Sequence, residues 1–241
     1  MSRRLWIPIA AVAALAVLGS AGAYVYFFSG LRTSPPSLAL ASPSASPSNA
    51  ASASAGTWQI ASGSVVGYRV KEQFVGQTSS HEAVARTGDV TGQVTIGQSG
   101  TSYQMTSANV TVQLANLASV DQVAGYNVTN RDRIVQRSLS VSSFPTAVFE
   151  AQSVTLPAGA ETGQTVTVSV PGKLTVHGVT KDVTATLQLR VSGSTAQIAG
   201  SIPTNMTDYG ISPPNVGFTT VQPAVTIEFQ LNLAGGMRRA S

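Results

Sequence analysis

Between residues 57 and 234 the chain alternates apolar and polar side chains with period two, in long unbroken runs. Val110, Val112 and Leu114 fall on one face and Thr111 and Gln113 on the other. Val166, Val168 and Val170 repeat the pattern, as do Val183, Ala185, Leu187, Leu189 and Val191 opposite Thr184, Thr186, Gln188 and Arg190. Val225, Ile227, Phe229, Leu231 and Leu233 form the same period-two series near the end. Period two with one apolar face predicts half-buried β-strands. Gly and Ser cluster between the runs, at Gln98-Ser99-Gly100 and Ser192-Gly193-Ser194, where turns are needed. The chain therefore reads as all-β, an antiparallel sheet closed into a barrel or folded as a sandwich. Only residues 119–138 break the texture. They predict a short helical segment, with Asn130 as its cap and Arg137 near its C-terminal end.

The segment ahead of the strands divides in two. Arg3 and Arg4 precede an uncharged, largely apolar run over residues 5–28. At 1.5 Å per residue such a run crosses a bilayer core of about 30 Å. Two readings fit it: an uncleaved signal anchor spanning 1–28, or a secretory signal peptide cleaved after Ala21-Gly22-Ala23. The aromatic continuation Tyr24, Tyr26, Phe27 and Phe28 favours the anchor, placing rings where a membrane interface would lie. The paired arginines hold the N-terminus inside, so a single-pass protein with its barrel on the extracytoplasmic side is expected. Residues 29–56, rich in Ser, Ala and Pro, lack the apolar bulk to repay ordering and read as a disordered linker. A barrel domain over 57–234 and a tail over 235–241 complete the division.

Charge narrows the partners. The chain's formal net charge is +4, but five of its 14 Lys and Arg residues lie outside 57–234. Inside that span nine cations face ten Asp and Glu residues, leaving no basic stripe for phosphates, so nucleic acid is not an expected partner. The absence of cysteine excludes disulfides, thiolate metal sites and cysteine nucleophiles. Only His81 and His177 are present, so no histidine-rich metal centre is expected. No G-x-S-x-G occurs, and no pair of carboxylates stands out by spacing. The expectation is a protein that is not an enzyme and has no catalytic residues. Asn109, Asn127 and Asn205 each begin an Asn-x-Thr triplet, a pattern that also arises by chance in a Thr-rich β protein.

Several local patterns occur in a telling order: Val66-Gly67-Tyr68-Arg69-Val70, Asn130-Arg131-Asp132 and Phe144-Pro145-Thr146-Ala147-Val148-Phe149-Glu150. They are followed by Gly172-Lys173-Leu174-Thr175-Val176-His177-Gly178-Val179-Thr180-Lys181-Asp182-Val183 and Asp208-Tyr209-Gly210-Ile211. The series resembles the YceI-like family over essentially all of 57–234. That resemblance implies an extended antiparallel lipocalin-like β-barrel around an apolar channel, with a short helix near one end. It also implies an isoprenoid-type ligand, such as a quinone or a prenyl-phosphate lipid, and no other cofactor.

The shared residues have physical roles of their own. Pro145 lacks an N–H and marks a strand start. Gly178 suits a tight hairpin turn with His177 beside it. Gly210 relieves a kink or bulge near Asp208, and Arg131 with Asp132 fixes the helix to the barrel rim by hydrogen bonds. Candidate channel residues are the large side chains on inward faces: Tyr68, Phe74, Phe149, Leu187, Phe218, Ile227 and Phe229. Small barrels are either filled by side chains or left open for a ligand. The expected function is therefore membrane-tethered binding or transport of an apolar lipid. A solid barrel serving as a surface interaction module and a lipid-acting hydrolase or isomerase based on His177 are the alternatives. Oligomeric state is not legible.

Overall fold

A computed structural model describes residues 14–22, 32–42, 55–76, 80–123, 127–217 and 219–235. Ten principal strands follow one another: β1 (Gly56–Ile60), β2 (Val65–Phe74), β3 (His81–Thr87), β4 (Val90–Ser99), β5 (Ser102–Gln113), β6 (Thr146–Ala151), β7 (Val166–Val176), β8 (Val179–Ser192), β9 (Thr195–Asn205) and β10 (Thr219–Gly235). A helix, α1 (Thr129–Ser138), lies between β5 and β6. All pairings are antiparallel, in the order β9-β8-β7-β6-β5-β4-β1-β10, and β10 also pairs with β9. That last pairing closes an eight-stranded barrel, which decides between the two sheet architectures that alternation permits. Closure leaves the barrel wall without an open edge.

The 17-residue strand β10 forms the seam. One flank runs along β9, and the other pairs with β2 over Thr219–Gln230 and then with β1 over Leu233–Gly235. Its register with β2 shifts between Val221 and Val225, around Pro223, which has no N–H to offer a ladder. The β2–β3 ribbon extends from this seam, and the two-residue strand Ala118–Ser119 pairs with β3. At Gly92 (φ 146°) the β5 backbone passes so closely that a Cβ would stand 2.1 Å from the Asn109 carbonyl oxygen. The glycine lets the wall bend there.

Every strand keeps its apolar face inward. Trp58, Val94, Met105, Leu189, Ile198, Phe229 and Leu231 belong to the main core. A smaller cluster of Leu174, Val176, Tyr209 and Ile211 packs at the α1 end. The β7–β8 hairpin turns through His177 (φ 52°) and Gly178 (φ 74°), between the paired residues Val176 and Val179. Two consecutive left-handed residues make a type I′ turn, whose twist matches that of the flanking strands.

Helix α1 begins close to its expected place but not at the expected cap. Val128 holds the N-cap position without a side-chain bond. The Asn127 carboxamide oxygen instead accepts from the Thr129 backbone N–H at 3.1 Å and its hydroxyl at 2.6 Å. Asn205 does the same for Thr207 at 3.0 and 2.7 Å, at the start of the 3-10 turn Met206–Tyr209. Two of the three Asn-x-Thr triplets thus have a local structural use, as turn-initiating side chains.

Two expectations concern the N-terminal region. Of the apolar run over 5–28, the structure describes only 14–22, a helix with exposed residues; the remainder lies outside the described residues. Among the described residues no helix is long and apolar enough to cross a membrane.

The other, a disordered linker, changes: the first part of that segment lies along the barrel. Arg32–Thr33 pairs with Gln122–Val123. The Ser34 hydroxyl then donates to the Glu82 carbonyl, and the Pro35 and Pro36 carbonyls accept from Arg69 and Arg86. The Leu38 N–H donates to Glu228, and the Ala41 carbonyl accepts from Arg190. Proline's extended backbone leaves its carbonyl unused by any local ladder, which suits it to an arginine donor. The strap seals Glu228, which is only 2% exposed although it points outward, between Arg69 Nε at 2.6 Å and Arg86 Nε at 2.8 Å.

Candidate functional site: an apolar cavity under a polar cap

The barrel is not solid. A cavity of about 280 Å³ runs from its middle to the underside of α1, and a second of about 60 Å³ lies toward Trp58. The two share Val94, Met105 and Leu187 in their walls, so they are stacked along one axis. Five of the seven expected channel residues line the larger cavity: Tyr68, Phe149, Leu187, Ile227 and Phe229. Phe74 does not line it. At the end of β2 its ring instead approaches His81, with centroids 6.4 Å apart. Phe218 lies outside the described residues.

Phe149 owes its place to a missing side chain. A Cβ on Gly172, across the β6–β7 pair, would meet the Phe149 ring at 2.7 Å. The bare glycine lets the ring lie against the wall rather than fill the cavity. Near the α1 end the lining includes Ile134 and Val135 of α1, Val216 just ahead of β10 and Val221 near its start. These residues are partly exposed, and Val216 reaches 39%. The cavity therefore approaches the surface between α1 and the chain leading into β10.

Polar side chains interrupt the apolar lining at that end, Tyr68, Glu72 and Arg131 among them, with Ser138, Thr204 and Thr219 beside them. The alternation of β2 places Tyr68 and Glu72 on the same inward face as Val66 and Val70. Arg131, buried on the first turn of α1, reaches down to them. Its Nη2 donates to Glu72 Oε1 at 2.6 Å and its Nη1 to Asp121 Oδ1 at 2.7 Å. Asp121 also accepts from His81 Nε2 at 2.7 Å and from the Val84 N–H at 3.0 Å. Asp132 turns the other way and accepts from the Ser119 N–H and hydroxyl, at 3.0 and 2.7 Å. These bonds hold α1 across the end of the barrel. The Nε of Arg131 and the hydroxyl of Thr219, both buried, have no hydrogen-bond partner among the described residues.

The electrostatics follow from burial and pairing. Burial pushes Asp121 up, but the bonds from His81, Arg131 and the Val84 N–H outweigh it, and its pKa falls below the usual aspartate value. Burial pushes Glu72 up, and Arg131 and His81 offset that only in part. Burial likewise drives the Tyr68 phenol above its usual value, so it stays a neutral O–H donor. Glu72, His81 and Asp121 place potential ligand atoms within 4.8 Å of one another. The guanidinium of Arg131 already supplies the positive charge that both carboxylates require.

Of the family-motif residues, Arg131 lines the cavity, while Asp132, Pro145, His177, Gly178, Asp208 and Gly210 occupy the same end without lining it. Pro145 immediately precedes β6, and its carbonyl accepts from the Leu114 N–H. His177 approaches the Tyr209 carbonyl through Nδ1 and the Ser140 hydroxyl through Nε2, both at 3.1 Å, and its ring meets Phe144 edge-on. Ser140 and His177 make the contact of a nucleophile with its base. Yet Ser140 (φ 48°) fills the left-handed position that closes α1, with the Val141 N–H returning to the Gln136 carbonyl, and neither residue lines the cavity. Asp208 is exposed in the 3-10 turn, and Gly210 (φ 72°) ends that turn rather than kinking a strand.

Sequence reading missed the buried set of Glu72, His81, Asp121 and Arg131 as a unit. The available signal was Glu72 on an inward register of β2, a carboxylate that needs a cation.

Comparison with known proteins agrees with this architecture. No curated protein matches the chain. Among solved structures, a polyisoprenoid-binding domain of Saccharophagus degradans, implicated in plant cell wall breakdown, has a TM-score of 0.54 at 15% identity, covering 76% of this chain and 100% of that one. BcnA of Burkholderia cenocepacia gives a TM-score of 0.46 at 19% identity over 68% of this chain and 95% of its own. The Campylobacter jejuni YceI protein gives 0.38 at 16% identity over 68% and 84%. The model of the YceI-like domain matches residues 58–233, almost the whole of the barrel, and the chain belongs to the YceI-like family.

Proposed function

We propose that this protein binds or carries one apolar chain of an isoprenoid-type lipid, tethered to the membrane with its barrel on the extracytoplasmic side. The observation that carries the reading is the cavity of about 280 Å³, apolar along its length and polar only beneath α1. That volume lies at the small end of ligand pockets, which suits one slender chain. Each CH₂ moved from water into it contributes about 0.8 kcal/mol. The polyisoprenoid ligand of the Saccharophagus degradans domain, on the same fold, supports the ligand class. The apolar run over 5–28 supports the tether. No bond is made or broken in this mechanism.

The polar cap favours a neutral headgroup. Arg131 is already flanked by Glu72 and Asp121, so an added phosphate would meet two carboxylates and one committed cation. A carbonyl or hydroxyl oxygen, as on a quinone, needs only a donor such as the Tyr68 phenol. Detergent extraction of the full chain followed by organic extraction and mass spectrometry tests this. A stoichiometric neutral prenyl lipid is expected. Purified protein without any apolar lipid, still empty after incubation with a long-chain quinone, would overturn the reading.

A further inference from the structure

We propose that the α1 end of the barrel is seated on the bilayer surface, so that lipid passes between membrane and cavity without crossing water. The inference rests on the membrane-tethered lipid-binding reading above. Three observations carry it.

The first is the direction of the N-terminal strap. Arg32 pairs with Val123, two residues from Asp121, which bonds Arg131 on α1. From there the strap crosses β3, β2 and β10, and Ala41 meets Arg190, close to the Ser192–Thr195 turn at the opposite end. Only residues 29–31 separate Arg32 from the end of the apolar run at Phe28. Four Cα steps span at most about 14 Å. The 14-residue strand β8 runs from the α1 end to the far end, about 45 Å along its length, or about 35 Å with a usual barrel tilt. A tether that short holds the α1 end near the membrane and keeps the far end away.

The second is the distribution of exposed apolar side chains. Among the described residues of the barrel domain the large ones are Val75, Val120, Phe144 and Val216. Val75 follows the end of β2, Val120 adjoins Asp121, Phe144 packs on the His177 turn, and Val216 lines the cavity. All four stand at the α1 end. The far end offers Ser99-Gly100-Thr101-Ser102 and Ser192-Gly193-Ser194-Thr195 instead. Arg133 and Arg137, exposed on α1, add cations beside the apolar rim, and the exposed Asp208 is there too. The third observation is that the cavity approaches the surface at this same end, between Val135 and Val216.

The absence of native cysteine makes the test direct. Full chains carrying Val75→Cys, Val120→Cys, Thr101→Cys or Ser194→Cys are labelled with bimane and reconstituted into phosphatidylcholine–phosphatidylglycerol vesicles containing nitroxide-labelled lipid. Quenching at positions 75 and 120 is expected to exceed that at 101 and 194 at least fivefold. Equal quenching at both ends, preferential quenching at 101 and 194, or failure of the chain to float with the vesicles would overturn the proposal. Bound lipid is measured in the same samples by organic extraction. Lipid retained without the quenching difference overturns the seating alone. Quenching at 75 and 120 in a chain that never holds lipid supports the seating and overturns the lipid-binding function.

Discussion

Arg131 Nη2 on α1 stands 2.6 Å from Glu72 Oε1 near the end of β2, so the helix that covers the cavity is held by a buried ion pair. Removing the cation leaves Glu72 and Asp121 buried and uncompensated, a loss of about 3–5 kcal/mol. Arg131→Met is therefore expected to lower the unfolding free energy by that amount, read by urea titration of the detergent-solubilised chain. Adding Glu72→Gln to it should recover part of the loss. An Arg131→Met variant within about 1 kcal/mol of wild type would show that other contacts hold the helix.

The same cluster sets the acid response. Asp121 is depressed in the folded state, so its contribution is present above its unfolded pKa of about 3.9 and is lost as pH falls through the lower folded value. Glu72 has the opposite sign. Its raised pKa favours the fold below the unfolded value of about 4.3, and that advantage fades as pH rises through the folded value. Asp121→Asn should flatten the decline in Tm between pH 4 and pH 2, whereas Glu72→Gln should leave that decline in place. Melting curves of both variants across that range decide it.

Filling the cavity without charge separates ligand binding from folding. Leu187 lies in the walls of both cavities, and Leu187→Trp should take up space a lipid chain would use. Bound lipid per protein is expected to fall at least tenfold, with Tm within a few degrees of wild type. Unchanged lipid in a folded Leu187→Trp chain would place the ligand elsewhere.

His177 is expected to behave as a turn residue. His177→Ala gives up both ring contacts and a left-handed position, for a loss of about 1–3 kcal/mol, while His177→Asn, better suited to that backbone, should lose less. Lipid retention should not change in either. A hydrolytic activity present in wild type and abolished in both would instead make the Ser140–His177 contact catalytic.

What the sequence made legible was what local alternation controls. The β8 and β10 runs predict their inward faces, and Leu187, Ile227 and Phe229 line the cavity as alternation places them. Phe74 sits on the same β2 register, but it falls at the strand end, beyond the interior, where His81 is its neighbour. Alternation specifies a face and not a height along the barrel. The partners of Glu72 were hidden for a different reason: Asp121 and Arg131 come from segments with no strand period. The strap was hidden by composition. Ser and Pro advertise little burial, and the acceptors that bind Arg69 and Arg86 are backbone carbonyls, identical in every residue.

The seam of β10 has a consequence for how the molecule is made. Trp58, at the start of the barrel, pairs with Gly235 at its end, so the ring cannot be completed until nearly all of the domain has been synthesised. Contacts between such distant positions are the slowest to form, because the intervening loop must be closed first. Until then the walls that later enclose the cavity are an open, curved sheet with its apolar face uncovered. Loss of the last few residues of β10 would remove the β1 pairing and only the end of the β9 ladder, giving a split cylinder. The last turn of synthesis thus separates an aggregation-prone sheet from a sealed container.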